Sequence, residues 1–180
     1  NELNNIIVGT GANNLLDGGA GVDQLTGGAG DDIYIVDDTA DVVTEQAFGG
    51  TDWVESSVSF VLGDHFENLE LTGTLAINGA GNEVVNTIIG NSAANILNGG
   101  GGNDTLSGGA DSDVLRGGTG HDLYFFNLGD GIDTIDDVTT VDEGNVLYFG
   151  AGITRANLSA SLNQTTVQVN VGSGGDAIPQ

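Results

Sequence analysis

Cysteine and lysine are missing from this 180-residue chain, and two arginines, Arg116 and Arg155, are its only strong bases. Without thiols it can hold neither a disulfide nor a zinc or iron–sulfur thiolate site. That composition suits a protein that crosses a membrane unfolded. Without clustered Lys and Arg nothing neutralises phosphates, which excludes nucleic acid as a partner; an anionic membrane repels the chain for the same reason. No apolar run approaches the length of a membrane span, and no basic-then-apolar leader opens the chain at Asn1. Between Asp37 and Gly79, helical 3.6-residue periodicity is absent over any useful window. The beginning at Asn1 and the ending Ile178-Pro179-Gln180 read as the limits of a piece cut from a larger parent chain.

What is present is glycine and acid: 32 Gly, and 26 Asp plus Glu, for a formal charge of −24. Such a charge on a short chain usually means disorder, but here the apolar residues are periodic. Residues 99–125 read GGGGNDTLS, GGADSDVLR and GGTGHDLYF, three nine-residue units without insertion. Each opens on a Gly pair, has Asp at the sixth position and has an apolar or aromatic residue at the eighth. Glycine permits left-handed turns that a Cβ resists. A carboxylate after such a turn faces exposed carbonyl oxygens, the all-oxygen environment that hard cations such as calcium prefer. The three residues after the Asp form a very short strand. The unit recurs as GTGANNLLD at Gly9, GGAGVDQLT at Gly18 and GGAGDDIYI at Gly27, the first copy degenerate. Gly9 aligns with Gly90, Asn14 with Asn95 and Gly18 with Gly99, an internal duplication offset by a whole number of nonapeptides.

These repeats resemble the RTX (haemolysin-type) calcium-binding family, whose nonapeptide is GGxGxDxUx. The resemblance implies an all-β fold, a right-handed parallel β-roll (β-solenoid) of nonapeptide repeats with a C-terminal β cap. Successive nonapeptides on opposite sides make a coil of two repeats, with Leu25, Leu106, Leu115 and Tyr124 pointing inward. Turns two repeats apart then stack on one edge, about 4.8 Å apart. In the family an ion takes carbonyls of turn positions two and four and the sixth-position Asp. The next turn on that edge adds carbonyls of positions one and three and its own Asp. Carried over, the most complete set is Gly100, Gly102 and Asp104 with Gly117, Thr119 and Asp122. A second is Gly19, Gly21 and Asp23 with Val36, Asp38 and Asp41, although VDDTAD lacks the Gly pair. Two weaker sets carry Asn for one Asp: Thr10, Ala12 and Asn14 with Gly27, Ala29 and Asp32, and Asn91, Ala93 and Asn95 with Gly108, Ala110 and Asp113. The turn at Phe126 has Gly131 at its sixth position, so Asp113 lacks an acidic partner there. About four to six calcium ions are expected in all.

The chain divides into a first block (1–41), an irregular β connecting segment (42–80), a second block (81–133) and a β-rich capping segment (134–180). The connecting segment either continues the coil with longer, ion-free turns or makes a hairpin excursion. Trp53 reads as a half-buried strand residue, Tyr34 and Tyr124 as core, and His121 as a solvent-facing turn residue. No catalytic constellation emerges: no GxSxG elbow is present, and nonapeptide spacing accounts for the carboxylates better than a glycosidase pair does.

Ordering a residue costs roughly 1–2 kcal/mol, while one inward Leu per short strand returns roughly 1.5–3 kcal/mol. The repeat blocks therefore need calcium to fold. The function read from the sequence is a non-catalytic calcium-binding module of a secreted or cell-surface protein exported by type I secretion, stabilising its parent outside the cell. The alternatives are a calcium-dependent adhesin or S-layer segment with a glycan or cell-surface ligand, and an accessory module of a secreted polysaccharide-modifying enzyme or protease.

Overall fold

Each nonapeptide carries too few apolar residues to enclose a core of its own, so burial requires neighbouring repeats to stack. A computed structural model describes residues 1–137, 144–154, 158–163 and 166–171. Among them there is no helix. The strands wind into a parallel β-solenoid with two walls. One wall is a single eight-stranded sheet of Leu15–Asp17, Ile33–Val36, Trp53–Ser56, Asn68–Leu71, Thr87–Ile89, Thr105–Ser107, Leu123–Phe126 and Val146–Phe149. The other begins with three strands, Ile6–Val8, Gln24–Thr26 and Val42–Thr44, and continues in a seven-stranded sheet. Its parallel members are Phe60–Val61, Gly79–Ala80, Ile96–Gly101, Val114–Thr119 and Gly131–Ile135.

Register follows the nonapeptide. Thr87 sits beside Thr105 and Thr105 beside Leu123, so one coil is two nonapeptides long. In the middle of the chain the coil length varies while the pairing persists. Ile33 is partnered by Trp53, Trp53 by Asn68 and Asn68 by Thr87. The eight-stranded wall therefore runs unbroken through the connecting segment, which adds coils instead of leaving the roll.

The eighth-position side chains form the spine of the core. Leu16, Leu25, Tyr34, Ile88, Leu106, Leu115 and Tyr124 are all buried, joined by Val54 and Leu69 from the irregular coils. The stack is one residue thick from each wall. Its strands of three residues alternate, so only the central side chain of a strand such as Gln24–Thr26 is fully enclosed. Beyond Gly131–Ile135 the sheet changes sense: Thr166–Val171 pairs with it antiparallel, and Leu158–Asn163 pairs antiparallel with that strand in turn. Much of the segment read as a cap, including Arg155, lies outside the described residues.

Candidate metal centre: two edges of stacked carboxylates

A carboxylate at the sixth position sits where the turn enters the strand, so the two-repeat coil places such groups directly above one another. The structure joins them into ladders. Along one edge, Asn14 N donates to Asp32 Oδ1 (2.7 Å), Asp32 N to Asp52 Oδ1 (2.8 Å), Asn86 N to Asp104 Oδ1 (2.8 Å) and Asp104 N to Asp122 Oδ1 (2.9 Å). Along the other, Asn5 N donates to Asp23, Asp23 N to Asp41, Asn95 N to Asp113 and Asp113 N to Asp133. Each rung fixes one carboxylate oxygen. The second oxygens of Asp32, Asp52, Asp104 and Asp113 are buried without a hydrogen-bond donor.

Burial without a counter-charge disfavours ionisation. It pushes Asp104 and Asp133 up to about 7, and Asp52 and Asp113 up to about 6, against the opposing pull of the amide each one accepts from. Neighbouring carboxylates add to the rise, Asp122 at Asp104 and both Asp113 and Asp130 at Asp133. Such orphaned oxygens fit a hard cation, which supplies the missing positive partner and is satisfied by oxygen alone.

The turn backbones complete the fit. A Cβ on Gly99 would strike both Asp104 Oδ2 and the Gly117 carbonyl oxygen, so the glycine leaves the space into which the acid folds. Gly118 has φ 97°, and the Gly100 carbonyl oxygen lies where its Cβ would be. Gly100 O and Gly102 O thus face the following turn, and Gly117 O faces back, with Asp104 and Asp122 alongside. Thr119 O also accepts from Gly102 N at 3.0 Å.

The other predicted sets differ in how open they are. In the first weak set the Thr10 and Gly27 carbonyls face each other's turns, near Asp32; Asn14 Oδ1 is occupied by Thr10 N, while Ala12 and Ala29 are exposed on the rim. In the second, the Asn91 and Gly108 carbonyls are similarly placed, with Asp113 beside them. There Asn95 Oδ1 accepts from Asn91 N, Ala93 N donates to Asn91 Oδ1, and Ala110 is exposed. In the set from Gly19, Gly21 and Asp23 to Val36, Asp38 and Asp41, the later turn closes on itself. Asp38 N donates to Asp41 Oδ2, Asp41 N to Asp38 O, and the Val36 carbonyl accepts from Ser57 N of the following coil.

Counting in nines missed two acids. Asp52 stands one coil after Asp32, and Asp133 one coil after Asp113, each 20 residues on. Two extra residues in the intervening turn carry the count past Gly50 and Gly131 to these acids. A search for any Asp opening a strand after a Gly-containing turn, without a fixed count, would have found both.

Between the blocks, amide groups bridge the turns. Asn82 Nδ2 donates to Gly63 O and Phe66 O, Asn86 Nδ2 to Phe66 O, Asn91 Nδ2 to Leu75 O, and Asn95 Nδ2 to Ile77 O. The Asn pairs at turn positions two and six point donors at the same kind of carbonyls that a cation would gather.

Tyr34 and Tyr124 are core residues with a second role. Each phenol oxygen accepts from the first glycine of its own repeat, Gly27 N and Gly117 N, and donates to an acid, Glu45 and Asp137 respectively. His121 is exposed and Trp53 half-buried in its strand.

A parallel β-solenoid whose edges stack carboxylates against inward-facing carbonyls is a calcium-binding β-roll. The sequence model of the RTX calcium-binding nonapeptide repeat matches in four copies, at residues 1–34, 79–115, 89–124 and 99–135, together just over half of the chain. The chain belongs to that family. No curated protein matches it.

Proposed function

We propose that this β-roll is a module of a secreted protein that folds on binding calcium outside the cell and thereby stabilises its parent. The observation that carries this reading is the buried, donorless oxygen on Asp104 and Asp113 in stacked, carbonyl-lined turns. A metal-free roll has to dehydrate these groups for a core one side chain deep; a cation makes the same burial favourable, so binding free energy becomes folding free energy. The charge of −24 supports the same view, because stacked acids within a Debye length of about 8 Å repel until neutralised. Sites of extracellular modules have dissociation constants of about 10⁻⁴–10⁻³ M, which leaves such a module unfolded at cytosolic calcium levels. Secretion is the setting in which this family typically works. The carbonyl and carboxylate groups of the four predicted sets are the proposed ligands, joined by Asp52 and Asp133, and the antiparallel strands after Gly131–Ile135 are the proposed cap. Far-UV circular dichroism tests the reading. The β signal should be weak in EGTA and rise with calcium; a full β spectrum in EGTA would overturn it.

A further inference from the structure

One turn departs from the nonapeptide and completes a close group of three buried carboxylates. Residues 45–52, EQAFGGTD, connect Val42–Thr44 to Trp53–Ser56. The turn docks on residues 27–32, where Gly30 N donates to Gly49 O (2.7 Å) and Thr51 N to Asp31 Oδ1 (2.9 Å). Its closure begins with Gly49 N donating to Gln46 O at 3.0 Å, which turns the chain back immediately after Glu45. The Glu45 carboxylate is thereby folded inward, only 6% exposed, beside Asp32 and Asp52, which are 0% exposed.

One oxygen from each of the three acids lies within 4.8 Å of the other two. Asp32 Oδ2 and Asp52 Oδ2 have no donor. Glu45 is held in place by its neighbours: Oε2 accepts from the Tyr34 hydroxyl at 2.5 Å and Oε1 from Gln46 N at 2.6 Å. Among the described residues Arg116 is the one arginine or lysine, and it is engaged with Asp136 at 2.8 Å. No Arg or Lys of the described chain therefore answers three buried carboxylates at this distance, where their mutual repulsion is large.

We propose that Asp32, Glu45 and Asp52 form a three-carboxylate divalent-cation site that takes calcium, in which Glu45 adds a ligand from outside the nonapeptide register. Tyr34 is its positioning residue, orienting Glu45 as outer-shell groups orient metal ligands. The inference rests on the calcium-binding reading of the roll and shares Asp32 and Asp52 with it; what it adds is Glu45, which belongs to no repeat and whose charge distinguishes the site from pairs such as Asn14 with Asp32. More ligand charge means tighter binding, so this site fills first as calcium rises.

Trp53, the single tryptophan of the chain, follows Asp52 directly and shares a surface cleft with Asp31 and Asp32. Terbium luminescence excited through tryptophan therefore reads this site in the intact chain. Terbium should give saturable emission that calcium displaces. Glu45→Gln should raise the terbium concentration at half-saturation about tenfold or more, whereas Asp64→Asn, in an exposed turn outside every ligand set, should leave it unchanged. If Glu45→Gln does not fold in saturating calcium by circular dichroism, Glu45→Asp, which keeps the charge on a shorter arm, serves in its place. Identical half-saturation in the folded Glu45 variant and the parent chain would overturn the proposal, as would a calcium-folded protein without tryptophan-excited emission. Calorimetry separates the two readings: calcium still bound in either case leaves the module intact, and no calcium bound at all removes both.

Discussion

The amide of Asp104 and Oδ1 of Asp122 are 2.9 Å apart and one coil apart, so the acid of each turn is anchored by the turn before it. Asp104→Asn retains that geometry and removes a charge from the most complete ligand set. Calorimetry should show calcium affinity at that site lowered about tenfold or more, whereas Asp64→Asn, in an exposed turn of the connecting segment, should change nothing. Equal effects would contradict the assigned register.

Gly118 should resist substitution strongly. Its φ of 97° disfavours any L side chain, and the Gly100 carbonyl occupies the space a methyl group needs. Gly118→Ala is expected to lose about 1–3 kcal/mol from the backbone conformation alone, read as a lower thermal midpoint in saturating calcium. Asp111, φ 78° at the equivalent of a fourth-position glycine, is the converse case. Asp111→Gly should raise the midpoint.

Acid should partly substitute for calcium. Asp104 and Asp133 are pushed up to about 7 in the metal-free roll, against about 3.9 in an unfolded chain. Between those values the folded form holds protons that the unfolded form has released. Their contribution to folding is full below about pH 4 and is lost as pH rises through about 7. In EGTA, the circular dichroism β signal should therefore grow as pH is lowered from 8 to about 4. In calcium, protons compete for the same oxygens, so the calcium midpoint should move to higher concentration as pH falls.

The amide bridges should behave oppositely to the acids. Asn82→Ala strips the Gly63 carbonyl of its 2.7 Å donor and removes one of those at Phe66. The expected loss is about 1–3 kcal/mol, and added calcium should not restore it. Thermal melts of the variant with and without calcium measure both statements.

The blocks were legible because the nonapeptide imposes one residue per role. Tyr34, Leu106 and Leu115 at the eighth position are buried, and the two-repeat register joins Thr87 to Thr105 as the count requires. The count fails where turns lengthen. Turn length is not constrained by strand pairing, so the chain gains two residues before Asp52 and Asp133 without disturbing the walls. Continuation through residues 42–80 was undecidable from spacing, because coils there vary in length and Val54 and Leu69 sit in strands without a nonapeptide. The amide bridges left one trace, Asn at positions two and six in both NEVVN and NSAAN. What it meant depended on carbonyls that only the stacked fold brings near.

The edge that carries Asp104 and Asp122 has neutral groups at its limits: Asn14 donates into it at one end, and Asn145 Oδ1 accepts from Asp122 N at the other. Among the described residues, the acidic rungs of that edge are thus bounded by neutral ones. A neutral amide draws a cation less strongly than a carboxylate, so the ions proposed for that edge would gather on its acidic inner rungs.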